Sequence, residues 1–226
     1  MNHLSAKSFA KPAASSAARL MPRGALLALA ACAVLAGCAS SKGPSTSTLY
    51  DFGPAASAPP AAAAAMPALV VTDVTGNAAY DSERMFYRLN YADPLQARSY
   101  ANSRWNATPL QLLTQRFKSR VAQSGVKVLS TTDASTGVPL LRIDLDDFTH
   151  SFDSASASYG EVVVRVSLFD KHTLLDQRTF GRKVSAQSAD APGGARALAQ
   201  ATDAVATDID AWLAAEVRRA PAPRKQ

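Results

Sequence analysis

The 226 residues hold 24 Lys and Arg against 18 Asp and Glu, a formal net charge of +6, with 47% hydrophobic residues and two cysteines. That length suits one domain of ordinary size with tails. The charge does not mark a nucleic-acid binder: Lys7, Lys11, Arg19 and Arg23 precede the first apolar run, and Arg218, Arg219, Arg224 and Lys225 fall in the last nine positions. The body between them is nearly neutral and carries no basic stripe interleaved with aromatics.

In chain order the first feature is the apolar run Ala25 to Ala36, which ends in Leu35-Ala36-Gly37-Cys38. At 12 residues it is too short for a bilayer-spanning helix, which needs about 20. Basic residues before it and small residues after it are the pattern of a secretory signal. Residues 1–37 are therefore expected to be a signal peptide, with Met21 as an alternative start to Met1. The Leu-Ala-Gly-Cys motif resembles the bacterial lipobox. That resemblance implies cleavage between Gly37 and Cys38 and fatty acyl chains, palmitate among them, on Cys38. Ala39, in place of an aspartate, implies sorting to the outer membrane. Cys32 leaves with the signal, so no thiol remains for a disulfide and the fold must hold by packing.

Residues 38–47 read as a lipidated, flexible tether and 48–216 as a single α/β domain, with an Ala/Pro-rich loop or linker at 54–67. A disordered basic tail is expected from 217 to 226. Thr48 to Gly53 reads as a short first strand and Ala68 to Thr75 as a central one, apolar on both faces at its start. From Arg84 to Ala92, Met85, Tyr87, Leu89 and Tyr91 alternate with polar residues, and a further short strand follows at Arg98 to Trp105. The first helix has a complete start signal: Thr108 as N-cap, Pro109 in the first helical position and Gln111 completing a capping box. Gly125 marks its end.

Val126 to Ser130 is the next strand. In Pro139 to Phe148, Leu141, Ile143 and Leu145 alternate with Arg142, Asp144 and Asp146. The phase then slips, with Phe148, His150 and Phe152 continuing on the other parity, as at a β-bulge. Gly160 to Asp170 and Thr173 to Ala186 form a hairpin turning at Lys171-His172. The closing helix, Gly193 to Arg218, aligns Leu198, Val205, Ile209, Trp212, Leu213 and Val217, with Asp203, Asp208 and Asp210 opposite. These elements add up to an α/β fold: a mixed sheet of five to seven strands with two helices.

No catalytic constellation is assembled by spacing. Asp144, Asp146 and Asp147 read as a solvated strand face, because no HxH, HExxH or second acidic cluster supplies further ligands, and no metal is expected. His150 lacks a nucleophile in a Gly-x-Ser-x-Gly turn. The Ala191 to Leu198 segment lacks the lysine and spacing of a phosphate loop. Neither a cofactor nor an enzymatic activity is expected. Tyr100, Trp105, Phe148 and Phe152 are the candidates for partner or lipid contact, the core being their competing destination.

Taken together, Tyr50-Asp51-Phe52-Gly53, Arg84 to Arg88, Ser99 to Leu113, Leu141 to Leu168 and Ala211-Trp212-Leu213 resemble the ABC-type transport auxiliary lipoproteins, relatives of the lipoprotein subunit of the paraquat-inducible system. The resemblance implies a three-layer α/β fold and an outer-membrane, periplasm-facing lipoprotein without enzymatic residues. Implied partners are an MCE-domain protein and an inner-membrane ABC permease and ATPase that move lipid between membranes. Homo-oligomerisation stays open. The competing class is a structural or assembly lipoprotein, such as a pilot or scaffold, that transfers no lipid.

Overall fold

The computed structural model describes residues 47–55, 68–133 and 136–219. The expected signal peptide, Cys38, most of the tether, most of the Ala/Pro segment and residues 220–226 lie outside the described residues.

Strand β7 (Leu140–Phe152) is the spine of a nine-stranded sheet. Along one edge it pairs antiparallel with β8 (Ser158–Asp170) over its whole length. Along the other edge three segments follow one another, all parallel to it. They are β2 (Ala68–Val71) with Val70 opposite Leu140, β3 (Thr75–Gly76) with Gly76 opposite Leu145, and β4 (Arg84–Leu89) with Tyr87 opposite His150. Outward from there, β6 (Lys127–Leu129) is parallel to β2, β5 (Asp93–Trp105) is antiparallel to β4, and β1 (Thr48–Tyr50) is parallel to β5. Strand β9 (Thr173–Ser185) pairs antiparallel with β8.

The register slip expected at Asp146-Asp147 is present as an irregularity between Leu145 and Asp147. Its consequence is large. Leu141, Ile143 and Leu145 before it, and Phe148, His150 and Phe152 after it, all point to the same buried side. Helix α1 (Pro109–Gln123) starts with the capping box read from Thr108 and Gln111. The next turn closes at Gly125, whose φ of 87° suits a residue without Cβ. The β8–β9 turn falls at Lys171-His172 as expected, with Lys171 at φ 56°.

Helix α2 (Ala191–Arg219) begins two residues before the expected start and extends three residues into the stretch read as tail. Asp190 caps it: its side chain accepts from the Gly193 amide (2.8 Å) and its carbonyl from the Gly194 amide (2.9 Å). Leu198, Val205, Ile209, Trp212 and Leu213 are buried, as their spacing requires.

Both helices lie on one face of the sheet. A Cβ placed on Gly76 would stand 3.1 Å from Leu145 Cβ and 3.2 Å from Leu110 of α1, and one on Gly160 would stand 2.6 Å from the Leu198 amide of α2. Leu145 and Gly160 share the inward side with Val162, Val164 and Val166. The fold is thus α/β with a mixed sheet and two helices, in two layers where the resemblance implies three. Nine strands appear in place of five to seven: β1 and β6 fall within the short strands read at Thr48 to Gly53 and Val126 to Ser130, and β3, which has no counterpart in the sequence reading, is only two residues long. Segments that short show no periodicity.

Candidate functional site

The four rings singled out for contact go to different places. Trp105 and Phe148 are 1% and 3% exposed and form a triangle with Phe52, with centroids 5.5 to 5.9 Å apart. They are core. Phe152 is buried as well, against Tyr87 (5.9 Å) and His150 (4.4 Å). Tyr100 alone of the four is half-exposed; its ring meets Tyr87 at 4.6 Å and its hydroxyl lies 2.9 Å from His150 Nδ1.

His150 is fully buried, and burial lowers its pKa from 6.5 to about 4, against the opposing charge of Asp190. It is neutral at pH 7. Its other ring nitrogen, Nε2, has no hydrogen-bond partner. Gly194, in the first turn of α2, leaves the space the imidazole occupies, and any side chain there would collide with it. The paired glycines of the Ala191 to Leu198 segment thus serve close packing. In this position His150 is a packing and hydrogen-bonding residue.

The three carboxylates are dispersed among separate partners. Asp144 accepts from Thr75 Oγ1 (2.6 Å), Asp146 pairs with Arg165 (3.4 Å), and Asp147 accepts from Tyr80 Oη (3.1 Å) and Thr149 Oγ1 (2.5 Å). Asp146 and Asp147 border a cavity of about 400 Å³ with Tyr80, Phe86 and Arg88. Among the described residues no three His, Cys, Asp or Glu side chains are grouped to hold a metal ion.

Arg116 carries no signal in the sequence, lying beside the apolar stripe of α1, yet it is 5% exposed. Its Nη2 donates to the Phe52 and Gly53 carbonyls (2.5 and 2.8 Å), its Nη1 lies 3.7 Å from Asp203, and its guanidinium sits 5.7 Å from the Phe52 ring centre. One side chain therefore ties the first segment of the domain to both helices. A cavity of about 390 Å³ opens beside it, lined by Asp51, Asn106, Leu112, Gln115 and Ser119 among others.

The sheet face away from the helices is mostly polar, with Arg142, Asp144, Asp146, Arg165 and Lys183 on it. At one end the pairing register lines up Leu129, Val70, Leu140, Phe169 and Leu174 across five strands. Residues opposite one another in a ladder share a face. Val70 is buried without belonging to the helix-side core, and Leu174 is 48% exposed. Arg142 lies over the Phe169 ring, 5.0 Å from its centre. Sequence alternation reveals each of these residues singly; the row exists only through register.

The fold and these surfaces define a packed α/β domain that offers a sheet face and strand edges for contact. It is similar to protein XCC0632 from Xanthomonas campestris, of the family DUF330, with a TM-score of 0.67 and 19% identity over 76% of this chain and 98% of that one. It is also similar to the crystal structure of an uncharacterised protein, with a TM-score of 0.58 and 16% identity over 74% of this chain and 99% of that one. At these identities the likeness is one of fold. No curated protein matches the chain. The family model of the ABC-type transport auxiliary lipoprotein component matches residues 48–210, and the chain belongs to that family. No helix among the described residues is long and apolar enough to cross a membrane.

Proposed function

We propose that the mature chain is held by acyl chains on Cys38 at the outer membrane, faces the periplasm, and docks an MCE-domain protein of an ABC-type lipid-transport system. Two or more acyl chains hold stably where one holds only marginally, because each buried methylene adds about 0.8 kcal/mol. The observation that carries the docking role is the apolar row from Leu129 to Leu174 on an otherwise charged sheet face. A lipid crossing an aqueous gap needs a continuous apolar path, since its exposed methylenes are unfavourable in water. A tethered domain supplies a fixed end for such a path at high effective concentration.

The test is a photo-crosslinking side chain at Leu174 in intact envelopes, with Thr179 on the charged part of the same strand as control. Capture of an MCE-domain protein from 174 and not from 179 is the expected result. Capture from neither position, or full restoration of the envelope barrier by a soluble Cys38→Ala chain, would overturn the docking role.

A further inference from the structure

Strand β9 pairs with β8 along one side, and among the described residues nothing pairs with its other side. An open edge offers a row of unpaired amides and carbonyls to any strand that approaches, and sheets ordinarily blunt it. The remaining edges here are blunted. Strands β1 and β6 are three residues long each, and β5 carries Pro94 and an irregular pairing with β4. Strand β9 runs for 13 residues without a proline, and its one irregularity lies near its start, at Leu174 to Asp176.

Its charges do not guard it either. Arg178 pairs with Asp176 (3.4 Å), Arg182 with Asp208 (2.6 Å) and Lys183 with Glu161 (3.3 Å), so each of these cations has an acidic partner in its own chain. The pattern is also self-complementary. A second β9 related by a two-fold axis through the midpoint, Thr179, runs antiparallel to the first and keeps the helix faces of both on the same side. Asp176 then stands opposite Arg182 of the second copy, twice over by symmetry, and Arg178 opposite Phe180. An axis at Arg178 sets that arginine against itself, and one at Phe180 sets Arg178 against Arg182; like charges so placed repel. On α2 the bond from Arg182 to Asp208 marks the side turned to this edge, where Ala204, Ala211 and Ala215 flank Asp208 at helical spacing. Small side chains there leave room for the helix of the second copy.

We infer that β9 pairs with β9 of a second copy about Thr179, in a two-fold dimer with one sheet running through both. This rests neither on the anchor nor on the docking partner proposed above. The Leu174 ends of the two copies then lie on one sheet face, roughly 30 Å apart.

Disulfide trapping in intact envelopes, read on non-reducing gels, tests the pairing. Residues opposite one another in an antiparallel ladder stand about 4.5–5.5 Å apart between Cα atoms, within disulfide reach. T179C should therefore link to its own copy. Q177C, about 13 Å from its own copy in this register, should link only when mixed with a G181C chain. A Cβ on Gly181 has room, its nearest neighbour being Val163 at 3.5 Å. The chain without an added cysteine reports any linkage through its own cysteines. T179K, at an exposed position, sets two ammonium groups face to face on the axis. In the Q177C and G181C chains it should reduce linkage about fivefold or more while leaving thermal unfolding unchanged. Linkage of Q177C to itself as strong as that of T179C overturns the register and with it the proposal. No linkage at 179, or Q177C–G181C linkage that T179K leaves intact, overturns the dimer.

Discussion

The Tyr100 hydroxyl lies 2.9 Å from His150 Nδ1, joining strands β5 and β7, which β4 separates in the sheet. His150 is fully buried and its pKa is lowered to about 4, so the folded state keeps it neutral while the unfolded chain protonates near 6.5. The unfolded state then binds more protons between about pH 4 and 6.5, and stability conferred at neutral pH is lost as pH falls through that window. The full loss is on the order of 3 kcal/mol. His150→Gln, measured by urea unfolding at pH 7 and pH 4.5, should lose less stability on acidification than the native chain.

Asp210 on α2 opposes this dependence. Burial raises its pKa to about 6 despite the nearby Arg120, and its Oδ1 has no hydrogen-bond donor. Here the folded state holds a proton that the unfolded state releases near 3.8, so stability falls as pH rises from about 4 to 6. Between about pH 4 and 6 the two groups offset each other. Asp210→Asn should stabilise the protein at pH 7 and leave it unchanged at pH 4, and should unmask the His150 dependence. A stability gain of the same size at both pH values would contradict the assignment.

Helix α2 approaches the sheet where β8 has no side chain. A Cβ on Gly160 would stand 2.6 Å from the Leu198 amide and 2.7 Å from the Ala197 carbonyl carbon. Those are backbone atoms of a helix and cannot yield alone. Gly160→Ala should cost about 1–3 kcal/mol or more in thermal or urea unfolding. Gly194→Ala meets the His150 ring instead, so removing that ring in a Gly194→Ala/His150→Ala double variant should recover part of the loss attributable to the collision. Strict additivity of the two single changes would refute it.

Removing the Arg116 guanidinium leaves the Phe52 and Gly53 carbonyls without their donor and Asp203 without its countercharge. Arg116→Met should destabilise by about 2–4 kcal/mol. It should also make the chain near Asp51 and Gly53 the first site cut in limited proteolysis, ahead of the β8–β9 turn. An unchanged cleavage order would show that β1 pairing alone holds this segment.

How far the fold is legible depends on the range over which each element is specified. Helix α1 is read correctly to its cap because Thr108, Pro109 and Gln111 act within one turn. The bulge is visible because Leu145 and Phe148 break a period of two within a single strand. Strand β5 is longer than its pattern suggests, starting at Asp93 where Arg98 was expected, because its first half, before β1 begins to pair at Ser103, is exposed on both sides and has no alternation to display. Asp203, Asp208 and Asp210 read as the solvated side of α2, yet Asp208 binds Arg182 at 2.6 Å and Asp210 is half-buried. The helix lies between α1 and β9, and partners from distant segments reach what its own periodicity marks as outside.

The same division holds for the surfaces. From the sequence alone come the Leu35-Ala36-Gly37-Cys38 motif that resembles a lipobox, the cap of α1, the hairpin at Lys171-His172 and the α/β class, all read from residues within a few positions of one another. Only the tertiary structure decides that Trp105 and Phe148 fill the core with Phe52, that both helices share one face, and that Leu129, Val70, Leu140, Phe169 and Leu174 form a row. Each of these is a matter of register or packing between segments tens of residues apart. Such contacts are fixed by the joint burial of all the apolar faces at once, which no local stretch of the chain encodes.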